Sequence, residues 1–330
     1  MSDTNRRVVL RGNGTFTSEQ FERVLRHDDS NNLMLTLGLT TGPGCNLRCA
    51  YCYNHGGIPK DLRERLSKRM VPNEYTNAIV EAAKLGAGSV IIVGIGETLM
   101  DPNIKEILQT THDHGMTPVI VTNITDLVDQ KMAQFLFDTG TSICASVDSV
   151  QDPTYSRIVG REGMLHKTLA GIDNCLRAGY GGSWEENGHL VTNIAFNAMA
   201  MKCNEPELEG LNRYCEEKEI LFMTRTPSPL KERPSCWDEV VGTSDDLKRI
   251  DGTVKRLYDG RGILGTQYGC LFWVSGIILG IDGEARLCYA AHNKAPMGNV
   301  RDMSLAELIY AKHNIYPVTG GSCPLKAGVH

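Results

Sequence analysis

With 41% apolar and 22% charged residues, a chain of 330 residues and 36.3 kDa can bury the core of one large domain, or of a barrel with an appended module. The net charge of −5 and the lack of a basic tract argue against nucleic acid as the main partner. No apolar run reaches the length of a signal-peptide core or a membrane-spanning helix. The expected compartment is the cytoplasm, where eleven cysteines point to metal binding or buried thiols rather than disulfides.

Ser18–Arg26 reads as a capped amphipathic helix within a lead-in of residues 1–33 that packs on the main domain. Apolar, β-rich runs then recur at Leu33–Thr41, Ser89–Gly96, Thr117–Asn123, Ser142–Asp148, Leu190–Ala200 and Ile220–Arg225. Helical stretches at Pro72–Leu85, Asn103–His114, Leu127–Asp138, Leu165–Ala178 and Glu205–Lys218 alternate with them. Alternation of this kind gives parallel strands joined by right-handed crossovers. Six units are too few to close an eight-stranded barrel and fit an open, partial one; a doubly wound sheet is the competing α/β architecture. In both, the active site lies at the carboxyl ends of the strands. The pattern breaks at Thr226-Pro227-Ser228-Pro229, which sets a boundary near residue 230 between a domain of 34–230 and a segment of 231–330.

Directly after the first expected barrel strand comes Cys45-Asn46-Leu47-Arg48-Cys49-Ala50-Tyr51-Cys52. This spacing lets one loop offer three thiolates to one iron–sulfur cluster, leaving an iron of a four-iron cube without a protein ligand. A zinc knuckle is the competing reading, but no paired cysteines or histidines complete such a site nearby. The run, with its aromatic Tyr51 before the third cysteine, resembles the signature of the radical S-adenosylmethionine (SAM) superfamily. The resemblance implies a (β/α)6 partial TIM-like barrel and a 4Fe-4S cluster on Cys45, Cys49 and Cys52. It implies that the open iron chelates SAM, and that reduction yields a 5′-deoxyadenosyl radical which takes hydrogen from a substrate. An electron donor such as flavodoxin or ferredoxin is the implied protein partner.

Further strand ends carry the resemblance. Val93-Gly94-Ile95-Gly96-Glu97-Thr98 is similar to the family's Gly-Gly-Glu-Pro-like motif for the SAM amino group, with Ile95 and Thr98 departing from it. That assigns Gly94, Gly96 and Glu97 to SAM. Thr122-Asn123 resembles a Thr-Asn-Gly strand end, structural or substrate-facing. Ser146-Val147-Asp148, followed by Arg157 and Arg161, is similar to the family's Ser-x-Asp end with its later arginine, which pairs the SAM carboxylate. The alternative for Asp148 is a turn cap. Asn197 stands where relatives place a polar SAM contact.

Cys270, twelve residues, Gly283, four residues and Cys288 form the second constellation, with Asp282-Gly283 reading as a hairpin turn and Cys323 following. It resembles the Twitch and SPASM modules, and the short form suits Twitch, which implies a second, auxiliary 4Fe-4S cluster on Cys270, Cys288 and Cys323. Cys236 is either its fourth ligand or a free hydrogen donor. Cys144, Cys175, Cys203 and Cys215 read as core thiols. The module points to enzymes that tailor aminoglycosides and other natural products. The expected reaction is oxidation of a secondary alcohol of an amino-sugar or aminocyclitol, with the auxiliary cluster accepting an electron. The alternative is epimerisation with Cys236 as hydrogen donor, and peptide modification ranks below both. Asn54, His55, Glu185, Glu186 and His189 are the polar candidates for such a small-molecule substrate.

Overall fold

The computed structural model describes residues 8–13, 15–26, 33–42, 44–52, 60–227, 233–257, 265–266, 269–270, 276–289 and 297–315. In chain order the strands are β1 (Val8–Leu10), β2 (Thr36–Thr41), β3 (Ser89–Gly94), β4 (Thr117–Thr122), β5 (Ser142–Ala145), β6 (Trp184–Glu186) and β7 (His189–Thr192). They continue as β8 (Ile194–Met199), β9 (Leu221–Arg225), β10 (Gly265–Thr266), β11 (Gly269–Cys270), β12 (Gly276–Leu279) and β13 (Ala285–Arg286). The helices are α1 (Ser18–Arg26), α2 (Lys60–Ser67), α3 (Pro72–Lys84), α4 (Ile104–Asp113), α5 (Gln130–Asp138) and α6 (Asp152–Val159). After them come α7 (Leu165–Ala178), α8 (Leu208–Glu217), α9 (Trp237–Val240), α10 (Ser244–Leu257) and α11 (Leu305–Ile315).

The main sheet runs β13-β12-β2-β3-β4-β5-β8-β9, parallel throughout except for β13. It is the open partial barrel that the alternation calls for. Period-two alternation sorts its side chains into two layers. Leu37, Leu39, Ile92, Ile120 and Phe196 face outward and pack with the surrounding helices. Ile91, Val119, Cys144, Ala195, Met223 and Ile278 point into the lumen, joined by Leu10 and Val24 from the lead-in.

The expected strand Leu190–Ala200 is two strands. Asn193 breaks it, its carbonyl accepting from Ile143 N at 2.8 Å and its side-chain oxygen from Gly181 N at 3.0 Å. Upstream, β7 pairs with β1 and β6 in a separate three-stranded sheet; downstream, β8 enters the barrel.

Nor does the boundary near residue 230 separate two sheets. The C-terminal hairpin forms as the Asp282-Gly283 turn suggests, with Leu279 opposite Ala285, and its first strand pairs in parallel with β2. Two ion pairs brace it: Arg65 on α2 reaches Asp282 at 2.7 Å, and Arg301 grips Glu74 at the start of α3. Buried Lys312 on α11 donates to Gly276 O at 2.8 Å. After β13, half-buried Cys288 precedes Tyr289, whose hydroxyl donates to Ile91 O at 2.6 Å. Cys270 ends β11, opposite Gly265. Cys323, Asn54 and His55 lie outside the described residues.

Candidate active site

The cysteine loop leaves β2 at the carboxyl end of the sheet and is tied down by neighbouring strand ends and by α6. Its base is fixed first. Tyr75 donates to Thr40 O at 3.1 Å, and Gly42 N donates to the buried carboxylate of Asp101 at 2.6 Å. Gly96 N and Glu97 N, just past β3, donate to Gly42 O and Gly44 O at 3.1 and 2.7 Å. Within the loop, Asn46 accepts from Asn123 Nδ2 at 2.8 Å and donates to Thr125 Oγ1 at 2.7 Å, both just past β4. Arg48 N and Ala50 N donate to Val159 O and Ile158 O at the end of α6, and Arg161 donates to Asn46 O. Tyr51 donates to Asp148 at 2.8 Å. Each neutral bond contributes about 1 kcal/mol, and together they fix a loop that has no regular structure of its own.

Cys45 is exposed on this loop, while Cys49 and Cys52 are half-buried. Burial, then nearby negative groups, raise the Cys45 and Cys49 thiols above the ordinary range. Among the described residues no three His, Cys, Asp or Glu side chains converge on a single-ion site, the arrangement a zinc knuckle requires. A four-iron cube takes each thiolate on a separate iron, so three thiols along one pinned loop suit the cluster instead.

Glu97 is buried, and its carboxylate accepts from Thr122 Oγ1 at 2.5 Å, Asn123 N at 2.7 Å and Leu99 N at 3.1 Å. Burial pushes its pKa up to about 7, against the lowering effect of those donors. The departures from the Gly-Gly-Glu-Pro pattern have local causes. Thr98 donates to Val121 O at 2.5 Å and accepts from Gly94 N, tying β3 to β4. Ile95 packs on Ile281 beyond β12. A Cβ at Gly94 would lie 2.9 Å from Gly96 O and from Thr98 N, so the sharpness of this turn itself demands glycine. Beyond Thr122-Asn123, where the resemblance has glycine, buried Ile124 takes φ +63°. That conformation costs a β-branched residue about 1–2 kcal/mol.

Asp148 joins three segments. It accepts from Tyr51 of the loop and from Met199 N at 2.7 Å, and its carbonyl accepts from Asn204. Burial raises its carboxyl to about 6, opposed by the bonds from Met199 N and Tyr51. Ser146 N donates to Thr122 O at the same end of the sheet. Asn197 is buried on the lumen side of β8, and its Oδ1 has no partner. A buried orphan acceptor calls for a donor from a bound group.

Other expected residues fall elsewhere. Arg157 pairs with Glu239 at 2.8 Å. Cys236 precedes α9, half-buried in an apolar cluster that also holds Cys49, Tyr51 and Met199. Glu185, Glu186 and His189 are on β6 and β7, before β8 begins, and hence away from the carboxyl ends. Glu186 pairs there with Arg11, and His189 bonds Phe16 O. Those three do not belong to the site.

Sequence reading missed Asn46, Thr125 and Asp101, because their partners lie far along the chain. Gly160 was missed as well. It caps α6 at φ +63°, and a Cβ there would lie 2.6 Å from Arg48 O of the cysteine loop. Gly160→Ala is expected to cost about 2–3 kcal/mol and to lower iron retention, because helix cap and loop must both shift. Chemical denaturation beside iron analysis checks it; a loss of stability with full iron retention would refute the loop contact.

The comparisons agree with this geometry. A model of the radical SAM superfamily matches residues 39–192. A GTP 3′,8-cyclase of Alkaliphilus oremlandii is 30% identical over 216 residues, 64% of this chain and 62% of that protein. A probable GTP 3′,8-cyclase of Methanococcus maripaludis is 26% identical over 181 residues, 54% of each chain. The chain thus spans about half the length of the curated relatives it matches first. Streptococcus suis SuiB bound to S-adenosylmethionine superposes with a TM-score of 0.65 at 16% identity, covering 91% of this chain and 71% of that one. The structure titled anSMEcpe with bound AdoMet gives 0.61 at 15%, covering 86% and 79%.

Proposed function

We propose that this chain, a radical SAM superfamily protein across residues 39–192, reductively cleaves SAM to take a hydrogen atom from a small polar substrate. The observation that carries the proposal is the three-thiol loop held against the strand ends that present Glu97 and Asn197. Cys45, Cys49 and Cys52 would hold the cluster, and Glu97, Ser146 and Asn197 would hold SAM. When bound, the reduced cluster and SAM supply a 5′-deoxyadenosyl radical as hydrogen acceptor. The chain's own part is positioning: the Asn46 and Tyr51 bonds fix the loop, and three donors fix the Glu97 carboxylate. Flavodoxin or ferredoxin is the proposed electron source.

For the reaction we favour oxidation of a secondary alcohol to a ketone, on an amino-sugar or a related sugar or cyclitol. The second electron would pass to an auxiliary cluster on Cys270, Cys288 and Cys323. The names of the relatives favour a second reading, cyclisation of a purine nucleotide. The packing of Cys236 with Cys49 and Tyr51 favours a third, epimerisation with Cys236 as hydrogen donor. The test is anaerobic incubation of reconstituted protein with SAM, dithionite and D2O, supplying aminocyclitols or GTP. A ketone, a cyclised nucleotide or a deuterated epimer would separate the readings. Formation of 5′-deoxyadenosine no faster than in a control without enzyme would sink the proposal.

A further inference from the structure

Arg225 is the last residue of β9, at the carboxyl end of the sheet where the cysteine loop also lies. Alternation assigns its direction. Leu221 and Met223, four and two residues before it, pack in the lumen cluster with Ile91, Val119 and Cys144, so Arg225 belongs to the lumen face. The guanidinium lies within electrostatic range of buried Cys144, two strands away on β5, and lowers that thiol's pKa against the dominant effect of burial. It therefore leans over the lumen and not away from it. Its register partner across the strand pair is Met199, which packs with Cys49 and Tyr51 and whose N–H is held by Asp148. One register step below, Met223 pairs with Asn197, the residue whose buried oxygen has no partner.

Among the described residues no carboxylate pairs with Arg225, although most of the other charged groups around this end are matched. Arg157 has Glu239, Arg249 has Glu205, and Arg161 has the carbonyl of Asn46. The acids nearest the site, Glu97 and Asp148, are occupied by donors of other segments. A planar, permanently charged fork left open at the mouth of a site matches the two oxygens of a carboxylate or phosphate.

We propose that Arg225 binds an oxyanion of the substrate, a carboxylate or a phosphate, at the side of the mouth formed by β9. The proposal rests on the reading of this end of the barrel as the substrate site. It narrows the substrate class: a bare polyamine would meet an unshielded like charge, whereas an acidic or phosphorylated sugar or a nucleotide would not.

The test is calorimetric titration of the reconstituted full chain with SAM present, in wild type, Arg225→Lys and Arg225→Gln. The probes are inorganic phosphate, pyrophosphate and malonate, with myo-inositol as the neutral control. We expect at least one oxyanion to bind wild type saturably, to weaken at least tenfold in Arg225→Gln and to recover in part in Arg225→Lys. SAM affinity should stay within about twofold. Binding of the phosphates alone assigns a phosphorylated substrate, and binding of malonate alone a carboxylate. No oxyanion binding to wild type, or equal binding to Arg225→Gln, overturns the proposal. So does an equal weakening of SAM, since Arg225 would then hold the SAM carboxylate. Release of 5′-deoxyadenosine is read separately. A wild type that binds an oxyanion through Arg225 but leaves SAM intact refutes the proposed reaction while upholding this inference.

Discussion

Alanine at Cys45, Cys49 and Cys52 together is expected to remove about four irons per chain and to abolish SAM cleavage, while leaving the protein folded. The last part follows from how the loop is held. Its conformation depends on Asn46, on Tyr51, and on the backbone of Gly42, Gly44, Arg48 and Ala50, none of which uses a cysteine side chain. Losing three thiols that are exposed or half-buried should therefore cost the apo-protein no more than about 1–2 kcal/mol. Iron and sulfide analysis after anaerobic reconstitution checks the result, beside a thermal melt of the apo forms. About eight irons in wild type falling to about four would support an auxiliary cluster. About four falling to none would remove that cluster and favour the redox-neutral readings. Unchanged iron in the triple variant would place the SAM-binding cluster elsewhere and refute the site.

The loop shows why the strand ends carry the residues they do. The polar side chains after β3, β4 and β5 were expected to touch a ligand, and many of their atoms instead touch one another or the loop. Thr122 and Asn123 orient Glu97; Asn123 also holds Asn46; Asp148 holds Tyr51 and the end of β8. Fixing groups in advance removes reorganisation at the moment of reaction. It also explains a tolerance: Thr98 can stand where a proline is expected because its hydroxyl bridges β3 to β4.

The barrel strands and the cysteine loop were legible because their signals are local: alternating apolar runs, and three thiols within eight residues. The pairing of β12 with β2 was not, since nothing near Gly276 reveals a partner some 240 residues earlier. The break at Asn193 was hidden inside a continuous apolar run, and that concealed the distance of Glu185, Glu186 and His189 from the site. Asn46 sat in plain view within the cysteine motif, but its grip depends on Asn123 and Thr125, which only the crossover of β3 brings near. Start signals at Asp152-Pro153 and Ser244 mark α6 and α10, which were passed over for want of a long periodic run.

The apo-protein should lose stability as pH rises from about 5 to 8, unlike proteins whose carboxylates are held ionised. Glu97 and Asp148 are both buried, and burial raises their folded-state values to about 7 and about 6 from ordinary values of 4.5 and 3.8. Between the two limits the folded chain keeps a proton that the unfolded chain has released, so stability falls with rising pH. Below the ordinary values both states are protonated and no penalty exists; above pH 7 both are ionised and the penalty is complete. Each group contributes roughly 3 kcal/mol at most. For a protein of this size that corresponds to a drop of about 1–2 M in the urea midpoint. Glu97→Gln should flatten the upper part of the slope, nearest pH 7, and Asp148→Asn the lower part, because neither amide titrates. Urea midpoints across that pH range, without cluster or SAM, check the prediction. A midpoint that rises with pH would mean that the donors from Thr122, Asn123, Tyr51 and Met199 outweigh burial, and that both carboxylates are ionised when the cofactors arrive.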